Sequence, residues 1–352
     1  HCGGNYMTDG LGISASTDLV FEENDIANDQ VHSLMEDYYG IETYHVVPDP
    51  NNTYIDHIDC WGKYLSPTKV LIREVPNSHP QFDEIEEISN YFANSTTKWN
   101  EPWELYRVWT PSNQPYTNSV ILNNKVLVPI TGSSWDEEAL AVYSDAMPGY
   151  EVIGFSGSWE STDALHCRIK GIPDLEMLQI FHNPLNDSIP PDSIGYKIDV
   201  MVDDLSDSGL ISDSMKIFWK TDEINNWNYT FLYYLDNIEN PNGWSGWIPA
   251  LADSSEIYYY IQSADSSGRV ENNPPAGWHK FFAYPTNACI EWALGDLDNS
   301  GEINIIDILL LADEIIEGSI SGSCSGFVSD INSDDQITII DILLLINMIS
   351  NP

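Results

Sequence analysis

Basic residues are scarce in this chain: 13 Lys and Arg stand against 55 Asp and Glu in 352 residues, a formal net charge of −42. Such a surface repels nucleic acid and anionic membranes and attracts cations, so metal ions and basic substrates are the partners it favours; the same excess also serves solubility in salt. Cysteine is scarce too. Cys2, Cys60, Cys167, Cys289 and Cys324 are too widely spaced for a disulfide framework, and the odd number leaves at least one thiol free. No apolar run reaches the ~18 residues a membrane helix needs, so no span is expected. The chain opens on HCGG with no Met and no signal peptide, as expected of a processed form or a fragment. What is present is 42% hydrophobic residues, enough for two or three domains with ordinary cores.

Three stretches share one plan. The first reads strand-like NYMTDGLGISAS and DLVFEEN, helical NDQVHSLMEDYYG, strand-like ETYHVV. The second reads HIDCWGKYL, the turn SPTK, strand VLIREV, helical HPQFDEIEEISNYFAN, strand ELYRVW. The third reads YTNSVIL, a turn at Asn123-Asn124, strand KVLVPI, helical SWDEEALAVYSDAM stopped by Pro148-Gly149, strand YEVIGF. Hairpin, helix, strand at a period of about 60 residues is a repeat architecture. A fourth unit begins at DALHCRIKGIPD and gives way to a different composition. A ring of such units loses its free edges only on closing, and this one is expected to be open.

Between about 185 and 285 the segments IGYKIDVMV, SMKIFWKT, NYTFLYYL, GWSGWIPAL, SEIYYYIQSAD and WHKFFAY are short, aromatic and β-branched, punctuated by Gly, Pro, Asn and Asp. That spacing predicts an immunoglobulin-like β-sandwich with no chemical constellation, a spacer or stabilising module. The predicted fold class is therefore α+β: a partial propeller of hairpin–helix–strand repeats over 1–183, the sandwich over 184–287, and an α-helical tail over 290–352.

The tail is duplicated: GDLDNSGEINIIDILLLADEII is answered by SDINSDDQITIIDILLLINMI. Calcium takes six to eight oxygens, and a twelve-residue loop supplies them from positions 1, 3, 5, 7, 9 and 12. Those positions are Asp296, Asp298, Ser300, Glu302 (carbonyl), Asn304 and Asp307 in the first copy, with Gly301 at the sharp turn. In the second they are Asp330, Asn332, Asp334, Gln336 (carbonyl), Thr338 and Asp341, with Asp335 at the turn. Each loop runs into IIDILLL, an apolar helix suited to pack on its twin. The pattern resembles a type I dockerin. That resemblance implies structural Ca2+, a cohesin-type partner, a secreted or cell-surface setting and an association with polysaccharide catabolism. The recognition positions of the loops carry Ile305-Ile306 and Ile339-Ile340, both apolar. Docking of the tail on its own chain is the alternative.

At the front, YIDHIDC alternates as a strand does, which would point His57 and Asp59 to one face and Tyr54 and Asp56 to the other. Asn118 in QPYTNS and Cys167 in STDALHC head later units. Equivalent ends of repeats in a ring converge, so His57, Asp59, Asn118 and Cys167 are expected to meet. Taken singly each has an ordinary explanation: a structural histidine, turn chemistry at the asparagine, a small buried hydrophobe at the cysteine.

The stretches GGNYMTDGLGISAST, PNNTYIDHIDCWGKYL, NQPYTNSVILN and WESTDALHC resemble the bacterial peptidylarginine deiminases, which group with the agmatine deiminases in the pentein superfamily. The resemblance covers residues 1 to about 180 and extends into the sandwich. It implies Cys167 as nucleophile, His57 as general acid/base, Asp59 as guanidinium ligand and Asn118 as a positioning group, with no cofactor for the deiminase step. The implied substrate is an arginine-containing peptide, converted to citrulline. Agmatine deiminase is the alternative within the fold, and a non-catalytic dockerin-bearing binding protein the alternative outside it. The family also carries a guanidine-binding aspartate in a W-x-R-D segment ahead of GGN, and no such segment occurs in residues 1–352. Little or no turnover by these residues alone is the expectation, since a lost charged contact costs about 1.5–3 kcal/mol.

Overall fold

A computed structural model of the chain describes residues 3–51, 55, 57–172, 174–185, 195–222, 226–235, 242–284, 292–317, 328–332 and 337–350. Tyr54, Asp56, Asp334, Gln336, Cys2, Cys289 and Cys324 lie outside them. The structure is α+β and divides into two compact units, residues 1–173 with 275–277, and residues 174–274 with 278–352. Among the described residues no helix is long and apolar enough to cross a membrane.

The first unit is three copies of one motif. Strands β1 (Met7–Thr8) and β2 (Ile13–Thr17) pair antiparallel, helix α2 (Asn28–Tyr39) crosses over, and β3 (Thr43–Val47) returns parallel to β2. Strands β4 (Gly62–Ser66), β5 (Lys69–Glu74) and β6 (Glu104–Trp109) repeat this around α3 (Phe82–Ala93). Strands β7 (Val120–Leu122), β8 (Lys125–Ile130) and β9 (Glu151–Ser156) repeat it around α4 (Asp136–Ala146). Each motif forms its own three-stranded sheet, and no ladder joins the sheets into a closed barrel among the described residues.

Local chemistry explains the elements. In α3 the buried Ile85, Ile88 and Phe92 recur at helical spacing. Helix α2 ends at Gly40, whose φ of +66° lets its N–H reach the Glu36 carbonyl. Asn123 takes φ +53° in the β7–β8 hairpin, the conformation its side chain tolerates best. Strand β5 is buried on both faces: Val70 and Ile72 join a core with Ile58, Trp61 and Phe92, while Leu71 faces a second core with Tyr116, Val126 and Tyr143. A continuous apolar run is what such a strand requires.

Two expectations fail here. DLVFEEN is not a strand: Leu19–Glu22 form a one-turn helix, α1. HIDC is not a strand either, because Ile58–Cys60 form a 3-10 turn, and extended structure begins only at Gly62.

In the second unit, β10 (Leu178–Phe181), β11 (Gly195–Asp204), β15 (Gly243–Pro249) and β14 (Tyr233–Tyr234) form one antiparallel sheet in the order β10-β11-β15-β14. The other contains β13 (Asn228–Phe231), β12 (Lys216–Thr221), β16 (Ser255–Ala264), β17 (Val270–Asn273) and β18 (His279–Ala283). One core joins the two sheets: Tyr196, Ile198, Val200 and Val202 of β11 meet Ile217, Ile257, Tyr259 and Ile261. Alternation along β11 sends Lys197, Asp199 and Met201 outward. The tail helices α5 (Ile305–Glu317) and α6 (Ile339–Ser350) share a small core of Leu297, Leu311, Val328 and Leu345.

Tyr143 of α4 braces the segment that carries Asn118: its hydroxyl donates to the Tyr116 carbonyl and pairs with Ser119 Oγ, each at 2.8 Å. Tyr143→Phe is expected to lower the unfolding free energy of this unit by about 1–3 kcal/mol, measured by urea titration of tryptophan fluorescence.

Candidate active site

Three turns from three parts of the chain are tied together by backbone atoms. The 3-10 turn Ile58–Cys60 carries Asp59, the segment before β7 carries Asn118, and the 3-10 turn His166–Arg168 carries Cys167. Thr117 Oγ1 donates to the Asp59 carbonyl at 3.1 Å, and the His166 amide donates to the Asn118 carbonyl at 3.1 Å. The side chains that these ties bring together are therefore held from their own main chain.

Asp59 is the hub, 2% exposed. Its Oδ2 accepts from the Cys167 thiol at 3.1 Å and lies 2.8 Å from His166 Nδ1, while its Oδ1 lies 3.7 Å from Cys60 Sγ. Asn118 Nδ2 donates to Cys167 Sγ at 3.1 Å, and its Oδ1 accepts from the His166 amide at 2.9 Å. The carbonyl side of this amide is thus committed to a backbone donor, which turns the NH2 toward sulfur.

His57 joins the group beside Gly4. A Cβ at Gly4 would sit 2.5 Å from His57 Nδ1 and 3.1 Å from Asp59 Oδ2, so only glycine lets the imidazole and the carboxylate close on this turn. The next residue fastens it: Asn5 Oδ1 accepts from the Ile58 amide at 3.3 Å and from the Thr17 amide and hydroxyl at 2.9 Å. The GGN stretch is therefore the mount of the His57–Asp59 segment.

Burial, and after it the charge of Asp59, pushes the Cys167 thiol up to about 12, against the opposing bond from Asn118. Burial pushes the Cys60 thiol up further. Lys63 of β4, 9% exposed, has its ammonium pushed down to about 8 by burial, a shift that Asp59 and Cys167 oppose. Asp59, Lys63, His166, Tyr6, Thr8 and Tyr64 line a cavity of ≈ 300 Å³. Chemically, this is a carboxylate next to a protonated thiol, with two imidazoles at hand. It suits a planar cation that would replace the thiol proton as the carboxylate's partner.

All four residues singled out in the sequence, His57, Asp59, Asn118 and Cys167, lie in this one site. Sequence reasoning missed Gly4, Cys60, Lys63 and His166. Only Gly4 had a local signal, the paired glycines before Asn5. Cys60 and His166 each adjoin a chosen residue, Lys63 lies on the strand that follows the Asp59 turn, and nothing in their spacing marks them.

In the tail, the carboxylates of Asp296, Asp298 and Asp307 offer oxygens within 4.8 Å of one another. Asp307 caps the loop from inside, accepting from the Leu297 amide at 2.7 Å and the Asn304 amide at 2.8 Å. Asp341 does the same in the second copy, from Ile331 at 2.9 Å and Thr338 at 2.8 Å. Both aspartates are fully buried. Oxygen donors gathered this closely fit a hard cation, whose charge would offset their repulsion. Ser300, Glu302, Asn304, Asp330 and Asn332 lie in these loops as expected.

Comparison with known proteins bears on both regions. Residues 2–173 match the family model described as Porphyromonas-type peptidyl-arginine deiminase, and residues 294–350 match that of the dockerin type I domain. An agmatine deiminase of Medicago truncatula is 23% identical over 207 residues, 47% of this chain and 54% of that protein. The chain thus spans about half the length of this relative. Among solved structures, a putative arginine deiminase from Porphyromonas gingivalis aligns with 22% identity and a TM-score of 0.44, over 47% of this chain and 54% of the other. An agmatine deiminase of C. jejuni aligns with 17% identity and a TM-score of 0.40, over 49% and 56%. The front of the chain is accordingly similar to the Porphyromonas-type peptidyl-arginine deiminases over residues 2–173, and its tail to the dockerin type I domain over residues 294–350.

Proposed function

We propose that this protein is a deiminase that hydrolyses the guanidinium of peptidyl-arginine to citrulline and ammonia, acts outside the cell, and is anchored by its dockerin. One observation carries the reading: Cys167 Sγ sits 3.1 Å from Asp59 Oδ2 and 3.1 Å from Asn118 Nδ2, with His57 against the same turn. A guanidinium stays protonated and resonance-stabilised, so it needs a carboxylate to bind it and a strong nucleophile to attack it. Asp59 binds its N–H groups and fixes its plane. The bound cation then favours the Cys167 thiolate, which the substrate-free site disfavours. The thiolate attacks the guanidine carbon, with Asn118 steering the sulfur. His57 gives a proton to the departing ammonia and afterwards takes one from the water that hydrolyses the thiouronium, which frees Cys167.

The family description and the dockerin match favour a peptide substrate met outside the cell over agmatine. The same reading divides the chain into a deiminase-like module at 1–183, an immunoglobulin-like sandwich at 184–287 and a dockerin at 290–352. The two-sheet core of the second unit supports the sandwich. Calcium would be held by Asp296, Asp298, Ser300, the Glu302 carbonyl, Asn304 and Asp307, with Asp330, Asn332, Asp334, Gln336, Thr338 and Asp341 supplying the second loop. When bound it supplies positive charge that locks both loops against the helices. A cohesin-type module is the proposed partner of the tail.

In a form of the protein that also carries a W-x-R-D segment ahead of GGN, citrulline release from a peptide ending in arginine should exceed release of the carbamoyl product from agmatine, and Cys167→Ala should abolish it; equal turnover by Cys167→Ala would remove the nucleophile assignment, and robust turnover by residues 1–352 alone would remove the need for that segment. A second test needs no turnover. Chloroacetamidine, a cation, should alkylate Cys167 at least about tenfold faster than neutral chloroacetamide, and Asp59→Asn should erase the preference. Alkylation by the neutral reagent should keep rising through pH 9–10 in the substrate-free protein, whereas an ordinary thiol levels off above its pKa of about 8.5. Calorimetric titration with Ca2+ should give two sites per chain, and Asp307→Asn should leave one.

A further inference from the structure

Cys60 has no part in the mechanism above, yet its thiol stands in the same two hydrogen-bonding positions as the nucleophile. Cys60 Sγ lies 3.7 Å from Asp59 Oδ1 and 3.8 Å from the Thr162 carbonyl oxygen. Cys167 Sγ lies 3.1 Å from Asp59 Oδ2 and 3.7 Å from that same Thr162 oxygen. Two sulfurs that share one carboxylate and one carbonyl are neighbours. Their turns are fixed to a common strut, since Thr117 holds the Asp59 carbonyl and Asn118 the His166 amide. Both are free thiols.

We propose that Cys60 and Cys167 form a reversible intramolecular disulfide when the site meets a peroxide, which withdraws the nucleophile until a dithiol restores it. The two cysteines differ in a way that sets the order of events. Cys167 is partly exposed, so it meets the oxidant, while Cys60 is 3% exposed and is shielded from it. Hydrogen peroxide transfers an oxygen to Cys167, giving the sulfenic acid and one water. Cys60 then passes its proton to Asp59, and its sulfur attacks the Cys167 sulfur. The S–O bond breaks, and the hydroxide leaves as a second water with a proton returned through Asp59. Two thiols lose two electrons, and the peroxide gains them.

The charged and titratable groups around the pair are Asp59, His57, His166, Lys63, Asp49 and Arg73 on the Cys60 side, and, on the turn of Cys167, Arg168. Asp59 is the one that touches both sulfurs. With the Cys167 thiol held mostly protonated in the substrate-free site, oxidation proceeds through its small thiolate fraction and accelerates as pH rises. The inference rests on the two thiols and on Asp59, and holds whichever guanidine is the substrate.

The test uses the full chain at pH 9, treated with millimolar hydrogen peroxide, alkylated, digested without reductant and mapped by mass spectrometry. The expected product is a Cys60–Cys167 crosslinked peptide that disappears with dithiothreitol. In Cys60→Ser the crosslink is absent, and dimedone traps the Cys167 sulfenic acid instead. The wild-type map alone decides, so a misfolded variant does not blunt it. Dimedone-labelled or sulfinic Cys167 without the crosslink overturns the proposal, as does pairing of Cys167 with Cys2, Cys289 or Cys324, or an unoxidised Cys167. None of these outcomes depends on guanidine turnover, so this proposal and the deiminase reading can fail independently.

Discussion

The arrangement depends on a single carboxylate. Asp59 is buried, and every reactive group of the site is defined by its distance to that side chain: the Cys167 thiol and His166 on one oxygen, Cys60 on the other, His57 across the same turn. A buried carboxylate is costly, and the chain offsets the cost with the buried Lys63 ammonium of the same cavity and with donors that are individually weak. Two of those donors are thiols, which hold their protons first because they are buried and then because the carboxylate is there. The donors on Asp59 are exchangeable, which is the condition for taking up a planar cation from solution.

That carboxylate is held by a repeat. Each of the three hairpin–helix–strand motifs has its own sheet, and strand β5 serves two cores at once by burying both faces. The turns ahead of β4 and β7, with the turn after β9, carry Asp59, Asn118 and Cys167. Side chains on turns are usually mobile, but here Thr117, Asn118, Asn5 and Tyr143 fasten these turns and the segment before β7 through main-chain atoms. The tail applies the same economy at small scale, with Asp307 and Asp341 each closing a loop and starting a helix.

Much of this was legible in the sequence because the period changes along each motif, from two in the hairpins to 3.6 in α2, α3 and α4. The exceptions have physical causes. Leu19–Glu22 is one helical turn, too short for periodicity to tell from a strand. HIDC alternates as a strand does, but Asp59 is drawn inward by contacts with residues about a hundred positions away, which no local pattern records. The same blindness hid His166 and Cys60: each stands beside a chosen residue, and its role is set by the partner turn. Strands β10 and β17 were missed because four residues each are too few for alternation to show.

The central claim is that Asp59 exchanges its thiol and imidazole partners for a guanidinium. The direct measurement is a crystal structure of the Cys167→Ala protein with a peptide ending in arginine. The account predicts the guanidinium plane against Asp59, its carbon facing residue 167 and the His166 contact released. A peptide bound elsewhere, or an Asp59 still paired with His166 at saturating ligand, would contradict it.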